Sequence, residues 1–142
     1  MLKIIPNELR ERYFKEIIKR ITNQKNRKRV LLSREWVTLF PSEPGVYCFF
    51  ENNILKYVGE TGNIRARMRD MLNTKNHNLR RLIGEYKFSN HIGYEKASSK
   101  KSFNQEIENK LCAWMRKHLE VSCLAINIGR KEFEDWVQDN NP

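Results

Sequence analysis

Two short apolar runs on either side of a polar loop constrain the fold of this chain more than any other feature. Residues 46–50 and 54–58 are rich in aromatic and β-branched side chains, and Glu51-Asn52-Asn53 lies between them. Such runs around a short polar loop predict a β-hairpin. Residues 41–45 hold two prolines and a glycine, which break any regular element before the first run. We therefore expect a sheet built on this hairpin.

The length of the hairpin loop decides whether Tyr47 and Tyr57 lie on one face of the sheet. A three-residue loop at 51–53 pairs Tyr47 with Tyr57, and directly opposed residues share a face. A two-residue loop at 52–53 pairs Tyr47 with Val58 and turns Tyr57 to the other face. Asparagine tolerates the left-handed backbone that the longer loop requires. We expect the three-residue loop, with both phenols on one surface.

The remaining pattern predicts an α/β fold in which helices flank a small three-stranded sheet, antiparallel or mixed. Apolar residues recur every four positions within 7–28, which predicts an N-terminal basic helix with Asn7 as its N-cap. Asn63 is the expected N-cap of a helix over 64–72. Further helices are expected at 78–84, at 103–119 and around Phe133, Trp136 and Val137. The third strand is expected at 91–97, and 123–128 is expected to be extended.

These elements divide the chain of 142 residues into three parts. Residues 1–40 form an N-terminal basic helical extension, 41–129 the central domain, and 130–142 a short C-terminal helix with an acidic tail. The length suits one small folded domain with a hydrophobic core. The apolar stripe of the first helix, which runs from Leu9 to Ile21, is expected to join a core or to dock on a partner.

Charge and cysteine usage narrow the classes of partner and compartment. Lys and Arg number 27 against 17 Asp and Glu, and this net charge of +10 indicates a polyanionic partner without distinguishing DNA, RNA and anionic lipid. Three irregularly spaced cysteines argue for reduced thiols and against a zinc site. No apolar run approaches the roughly 20 residues that span a bilayer, and residues 1–8 turn polar too soon for a secretion signal. We expect a cytoplasmic protein with no membrane partner.

The hairpin carries two short strings, Gly45-Val46-Tyr47 and Tyr57-Val58-Gly59, and an arginine-rich segment over 60–69 follows them. Together they resemble the signature of the GIY-YIG nuclease family, which cleaves phosphodiester bonds with one divalent metal ion. The resemblance covers about residues 41–129. It implies a GIY-YIG-like fold, DNA as partner, one Mg²⁺ or Mn²⁺ ion per active site and no small-molecule cofactor. Without it, the two strings describe an ordinary hairpin with tyrosines in the core.

The resemblance assigns catalytic roles to Tyr47, Tyr57, Arg67 and Glu108. Tyr47 matches the tyrosine that acts as general base or positions water, and Tyr57 matches the tyrosine that shapes the site. Arg67 lies where the family has an essential arginine, whose planar fork suits a phosphate oxygen. Glu108 is similar to the glutamate that holds the metal, and Glu106 is the less favoured alternative. Mg²⁺ prefers oxygen ligands and often binds a single carboxylate with waters.

A second group of residues is expected to support the site or to contact DNA. Missing side chains at Gly45 and Gly59 would let a phosphate approach the backbone. Arg65 and Arg69 lie one helical turn apart and are either contacts to flanking phosphates or ordinary surface residues. Asn127 is similar to the asparagine that closes the family's domain. The full supporting set is Gly45, Gly59, Arg65, Arg69, His77, Arg80, Arg81 and Asn127.

Two positions depart from the family pattern. Met71 stands four residues after Arg67, where His or Tyr is frequent in the family, and Glu60 stands where Lys is frequent. Either change would weaken catalysis unless another residue compensates. His77 is the candidate for that compensation because two arginines follow it closely, although a lone histidine is more often structural.

The sequence therefore predicts a metal-dependent endonuclease that hydrolyses DNA phosphodiester bonds, of the restriction type or of the repair or structure-selective type. A palindromic target would imply a homodimer. The alternative is a nucleic-acid-binding module on the GIY-YIG fold with weak or lost catalysis, which Met71 and Glu60 favour. A basic scaffold protein that docks through its first helix is a third interpretation, but it leaves the paired tyrosines unexplained.

Overall fold

The computed structural model describes residues 6–140, which form a four-stranded antiparallel sheet with helices on both faces. Residues 1–5 of the predicted extension and 141–142 of the predicted tail lie outside the described part. The strands are β1 (Lys28–Arg29), β2 (Gly45–Glu51), β3 (Ile54–Thr61) and β4 (Leu119–Ala125), in the spatial order β1-β4-β2-β3. The helices are α1 (Asn7–Ile21), α2 (Arg34–Val37), α3 (Ile64–Asp70), α4 (Asn78–Phe88), α5 (Gln105–His118) and α6 (Arg130–Asn140).

The α/β class and the N-terminal helix are confirmed, but the expected set of three strands is wrong. Residues 91–97 form turns and irregular backbone, with Gly93 in the left-handed conformation at φ 83°. The third strand is β4, which follows α5 directly and pairs with β2 over its whole length. A short fourth strand, β1, pairs with β4 at the opposite edge from β3.

The first helix is shorter than its apolar periodicity predicts. It ends at Ile21, and the side chain of Asn23 then caps a single 3₁₀ turn that leads into β1. Pro6 stands at the N-cap position and makes no side-chain cap, so the expected cap at Asn7 is wrong. Leu9 is 50% exposed. The buried stripe is therefore limited to the C-terminal half of the helix, from Phe14 to Ile21.

The hairpin closes with a two-residue turn, and the expected three-residue loop is wrong. Glu51 pairs with Ile54, and Asn52 and Asn53 have φ values of 51° and 65°. Left-handed backbone at both central positions is typical of the turns whose twist matches that of the flanking strands. Asparagine adopts this conformation more readily than other residues with a side chain.

A β-bulge in the hairpin restores the shared face that the shorter turn would have abolished. The register shifts between Phe49 and Phe50, so that Phe49 opposes Tyr57 and Lys56 is the extra residue in β3. A shift of one residue moves side chains to the other face of a sheet. Tyr57 consequently lies on the face of Tyr47, as expected, but for a different structural reason.

Successive side chains of β2 point to opposite faces of the sheet and belong to two separate hydrophobic cores. Val46, Cys48 and Phe50 pack with buried side chains of α1 and α6 on one face. Tyr47 and Phe49 pack with side chains of α2 to α5 on the other face. The basic helix α1 and the tyrosine site are therefore on opposite sides of the sheet.

No helix within residues 6–140 combines the length and the apolar character that crossing a membrane requires. Cys48, Cys112 and Cys123 are all free thiols.

Candidate active site

Tyr47 lies at the centre of the site, on β2 between β3 and β4, and is 1% exposed. Its ring packs directly against Gly59, so a β-carbon on residue 59 would overlap the ring. A methyl group on Gly45 would likewise meet Ile64 and the carbonyl of Leu124. Packing within the protein therefore requires glycine at both positions.

Two donors converge on the hydroxyl oxygen of Tyr47. Arg67 Nε lies 3.3 Å from it, and His77 Nε2 lies 3.1 Å from it. The other ring nitrogen of His77, Nδ1, accepts the backbone N–H of Leu79 at 3.1 Å. A neutral imidazole has one donor and one acceptor nitrogen, so Nε2 carries the proton and donates to Tyr47. The phenolic proton of Tyr47 must then point away from both partners.

His77 is held in place as the N-cap of α4 and is fully buried. Burial, together with the nearby guanidinium groups of Arg67, Arg81 and Arg80, which have smaller effects, lowers the pKa of His77 to about 3. The ring is therefore neutral at neutral pH. Met71, in contrast, is buried in the core. The structure thus brings the imidazole of His77 to the Tyr47 hydroxyl, a polar contact that the apolar side chain of Met71 could not make.

The guanidinium of Arg67 is fixed through two of its nitrogens, and the third is still available. Besides Tyr47, it donates through Nη1 to Asp70 Oδ2 at 3.2 Å and to the carbonyl of Asn76 at 3.0 Å. Its Nη2 makes no hydrogen bond to any residue within 6–140, and the side chain is 27% exposed. A guanidinium fixed in this way can donate to a phosphate oxygen at the surface.

Tyr57 forms the second aromatic wall of the site. Its ring stacks on that of Tyr47 at 6.2 Å between centroids and lies 5.8 Å from the ring of His77. Burial raises the pKa of Tyr47 above its ordinary value, and Tyr57 raises it further, whereas Arg67 lowers it. In this arrangement Tyr47 is a neutral phenol at neutral pH.

Glu108 belongs to a separate buried network. Its Oε1 accepts from Arg80 Nη2 at 2.7 Å and from the Thr74 hydroxyl at 2.6 Å, and its Oε2 accepts the backbone N–H of Phe103 at 2.9 Å. The side chain of Arg80 is 2% exposed. Within the described residues, no hydrogen bond or ion pair joins Glu108 to Tyr47.

This carboxylate does not fit the role of a divalent-metal ligand in the present arrangement. A carboxylate offers about four lone-pair positions, and three of those on Glu108 are engaged. The adjacent guanidinium would repel a second cation. Glu106, the alternative ligand, is 67% exposed and pairs with Lys110 and His91. Residues 6–140 contain no cluster of three His, Cys, Asp or Glu side chains that could hold a metal.

The Arg80–Glu108 pair instead fixes the segment that links α3 to α4. Arg80 also donates to the Thr74 hydroxyl at 3.1 Å and to the carbonyl of Met71 at 2.9 Å. The same segment supplies His77 and the Asn76 carbonyl to the site. The ion pair therefore positions two of the groups around Tyr47 and Arg67.

Arg81 supports this linking segment as well, since its Nη1 donates to the carbonyls of Thr74 and Lys75 at 3.1 and 2.9 Å. The sequence interpretation missed Thr74, Asp70 and Asn76. The spacing of Asp70, three residues after Arg67 on α3, is a signal for an ion pair. Asn76 acts through its backbone carbonyl, which leaves no signal in the sequence.

Several predicted residues lie elsewhere. Arg65 and Arg69 line a separate cavity of about 450 Å³ together with Arg34. Arg65 is anchored there by a 2.7 Å hydrogen bond from Nε to the carbonyl of Phe40. Neither Tyr47 nor Arg67 lines this cavity.

Asn127 and Glu60 are also not part of the tyrosine cluster. Asn127 is exposed beyond the end of β4, and its backbone carbonyl accepts from Arg130. Glu60 opposes Val46 in the sheet, so it lies on the face opposite to Tyr47, where Arg130 Nε is 3.2 Å from its carboxylate. A negative charge at Glu60 is therefore paired away from the site.

The fold and this cluster define an α/β protein with a cationic, tyrosine-centred site that suits a phosphate ester. The GIY-YIG catalytic domain matches residues 43–120, more than half of the chain, so the chain belongs to the GIY-YIG family and the resemblance is confirmed. Members of this family are nucleases and generally use divalent metals.

The chain is also similar to UvrABC system protein C of Haloquadratum walsbyi. The two are 36% identical over 50 residues, which cover 35% of this chain and 8% of that protein. The chain thus matches only a small part of the length of this relative. No solved structure matches the chain significantly.

Proposed function

We propose that this chain is an endonuclease that hydrolyses phosphodiester bonds of DNA at Tyr47. One observation carries the proposal: Arg67 and His77 both donate to the Tyr47 oxygen, and Nη2 of Arg67 makes no hydrogen bond within residues 6–140. A phosphate oxygen bound at Nη2 would lie next to the phenol. Membership of a nuclease family supports the same conclusion.

The residues of the site would act in distinct ways. Arg67 would bind a non-bridging oxygen of the scissile phosphate and stabilise the charge that develops there. Tyr47, a neutral phenol, would orient the attacking water through its hydroxyl, since a phenol with a raised pKa is a poor base at neutral pH. If its proton leaves during the reaction, the two donors would stabilise the phenolate. Tyr57 would form the wall against which the phosphate is held.

We further propose that hydrolysis requires one Mg²⁺ or Mn²⁺ ion. This requirement rests on the family relation, because Glu108, the expected ligand, is paired with Arg80. The basic cavity lined by Arg34, Arg65 and Arg69 would bind backbone phosphates that flank the cut. A restriction-type enzyme, with a homodimer for a palindromic target, and a repair or structure-selective enzyme both agree with these contacts.

Cleavage of supercoiled plasmid, with Mg²⁺ and with EDTA, tests the proposal. We expect nicking that requires Mg²⁺ and that Tyr47→Phe reduces by at least about 100-fold, in the range of losing one group that acts on the reacting centre. Tyr13→Phe is the matched control, because Tyr13 packs on the face of the sheet opposite to Tyr47. Full activity of Tyr47→Phe would contradict the proposed role of the phenol.

A nucleic-acid-binding module with lost catalysis is the second candidate function. The Arg80–Glu108 pair favours it, because a neutralised Glu108 leaves the site without its expected metal ligand. Wild-type protein that binds plasmid but cuts neither supercoiled nor branched DNA, with Mg²⁺ or Mn²⁺, would establish this second function in place of the first.

A further inference from the structure

A second cavity, of about 360 Å³, opens on the same face of the sheet as Tyr47, between the hairpin and α4. Phe49 and Leu79, which are both buried, form its inner wall, and Trp114 from α5 closes one side. Leu82 and Tyr86 from α4 form the outer side. We call this space the aromatic cavity. This volume is within the range of sites that bind small molecules.

The outer side of the aromatic cavity leaves apolar surface in contact with water. Tyr86 is 82% exposed and Leu82 is 47% exposed. Lys87 lies between two rings, with its Nζ 5.3 Å from the centre of Tyr86 and 4.9 Å from that of Trp114. Exposed aromatic rings beside cationic side chains are the usual means of binding nucleobases, since the rings stack and the cations attract the backbone.

The aromatic cavity and the phosphate site share one aromatic side chain. Tyr57 lines the cavity, and the same ring stacks on Tyr47. A nucleotide whose phosphate lies at Arg67 would therefore have the cavity beside it. Lys56 and Lys87 at the rim add positive charge, and Glu51 adds a carboxylate that can accept from a base amino group.

We propose that the aromatic cavity binds a nucleobase that has left the base stack of the DNA, next to the phosphate held at Arg67. The inference rests on the proposed function for the position of that phosphate. A base inside an intact duplex cannot enter a cavity in a protein, so the preferred substrate carries an unpaired nucleotide near the cut. Stacking of one base on an aromatic side chain contributes roughly 5- to 150-fold in affinity.

The test measures binding of the full chain to two labelled duplexes by fluorescence anisotropy, in EDTA so that neither is cut. One duplex is fully matched, and the other is identical except for a single bulged 2-aminopurine. Wild-type protein should bind the bulged duplex about tenfold more tightly and should quench the fluorescence of the 2-aminopurine. Tyr86→Ala should lose most of this preference, whereas Tyr86→Phe, which keeps the ring, should retain it. Ile92→Ala, which alters a 93% exposed residue outside the cavity lining, is the control.

Three outcomes would overturn the proposal. They are equal binding of both duplexes by the wild type, an unchanged preference in Tyr86→Ala, and a preference without quenching of the base. The aromatic cavity would then accept another occupant, such as an apolar side chain of a protein partner. If the protein shows the expected preference but cuts no DNA, the cavity proposal is supported and the nuclease proposal is contradicted. If the protein cuts matched and bulged duplexes alike and shows no binding preference, the nuclease proposal is supported and the cavity proposal is contradicted.

Discussion

The Nε2 atom of His77 lies 3.1 Å from the hydroxyl oxygen of Tyr47, although 30 residues separate the two along the chain. His77 is held there as the N-cap of α4, where its other ring nitrogen accepts the backbone N–H of Leu79. Met71, four residues after Arg67, is apolar and buried in the core. A residue from the following segment thus supplies the polar contact that Met71 cannot make.

The fork of Arg67, and not its charge alone, should determine activity. Arg67→Lys keeps the positive charge but loses the geometry that joins Tyr47, Asp70 and the Asn76 carbonyl. We expect single-turnover DNA cleavage to fall by about 100-fold, in the range of losing one stabilising donor. Arg69→Lys, on the same helix, should change the rate by less than about threefold. Equal effects of the two substitutions would show that charge alone matters.

Removal of Glu108 should cost stability as well as activity. Glu108→Ala would leave Arg80 buried without its partner, so we expect the free energy of unfolding to fall by about 3–5 kcal/mol. Urea unfolding measures this change, and Glu106→Ala, at a 67% exposed side chain, should stay within about 0.5 kcal/mol. If Glu108→Ala instead abolishes cleavage with unchanged stability, its main role is at the reaction centre.

The pairing of Tyr47 with Gly59 should make that glycine intolerant of any side chain. Gly59→Ala would place a methyl group against the Tyr47 ring, and overpacking of this kind costs about 1–3 kcal/mol. We expect a lower melting temperature and reduced cleavage, because the displaced ring moves the phenol. Gly62→Ala meets no atom within 4 Å and should leave both quantities unchanged. Wild-type stability of Gly59→Ala would contradict the observed packing.

Neutral His77 should make the protein less stable as the pH falls. The pKa of His77 is about 3 in the folded protein and about 6.5 in an unfolded chain. Between these values the unfolded chain binds a proton that the folded chain does not. The stabilising contribution is therefore complete above about pH 6.5 and declines toward pH 3, by at most about 1.4 kcal/mol per pH unit.

Urea unfolding between pH 6.5 and pH 5, where carboxylates contribute little, measures this slope. His77→Gln should flatten the pH dependence, whatever its own baseline stability. A slope that persists in His77→Gln would show that other groups cause it.

Features that depend on nearby residues could be predicted from the sequence. Asn63 caps α3, as expected, through its contact with the backbone N–H of Ala66. The two strands of the hairpin and the long helix α5 also lie close to their predicted positions. The glycine and tyrosine strings with Arg67 were sufficient to indicate the family. Each of these signals lies within a few residues of the structure that it specifies.

Contacts between distant segments were decided only by the tertiary structure. The pairing of β4 with β2 and the short strand β1 depend on partners far along the chain, and the irregular backbone at 91–97 shows that strand-like composition alone is insufficient.

The bulge at Lys56 and the Arg80–Glu108 pair also depend on contacts that only the tertiary structure decides. Periodicity and caps express the preferences of a few neighbouring residues. Register and buried ion pairs depend instead on which groups lose water together when the sheet and helices pack. The sequence by itself therefore determined the family and the tyrosines and arginine of the site, whereas the tertiary structure decided that His77 contacts Tyr47 and that Arg80 pairs with Glu108.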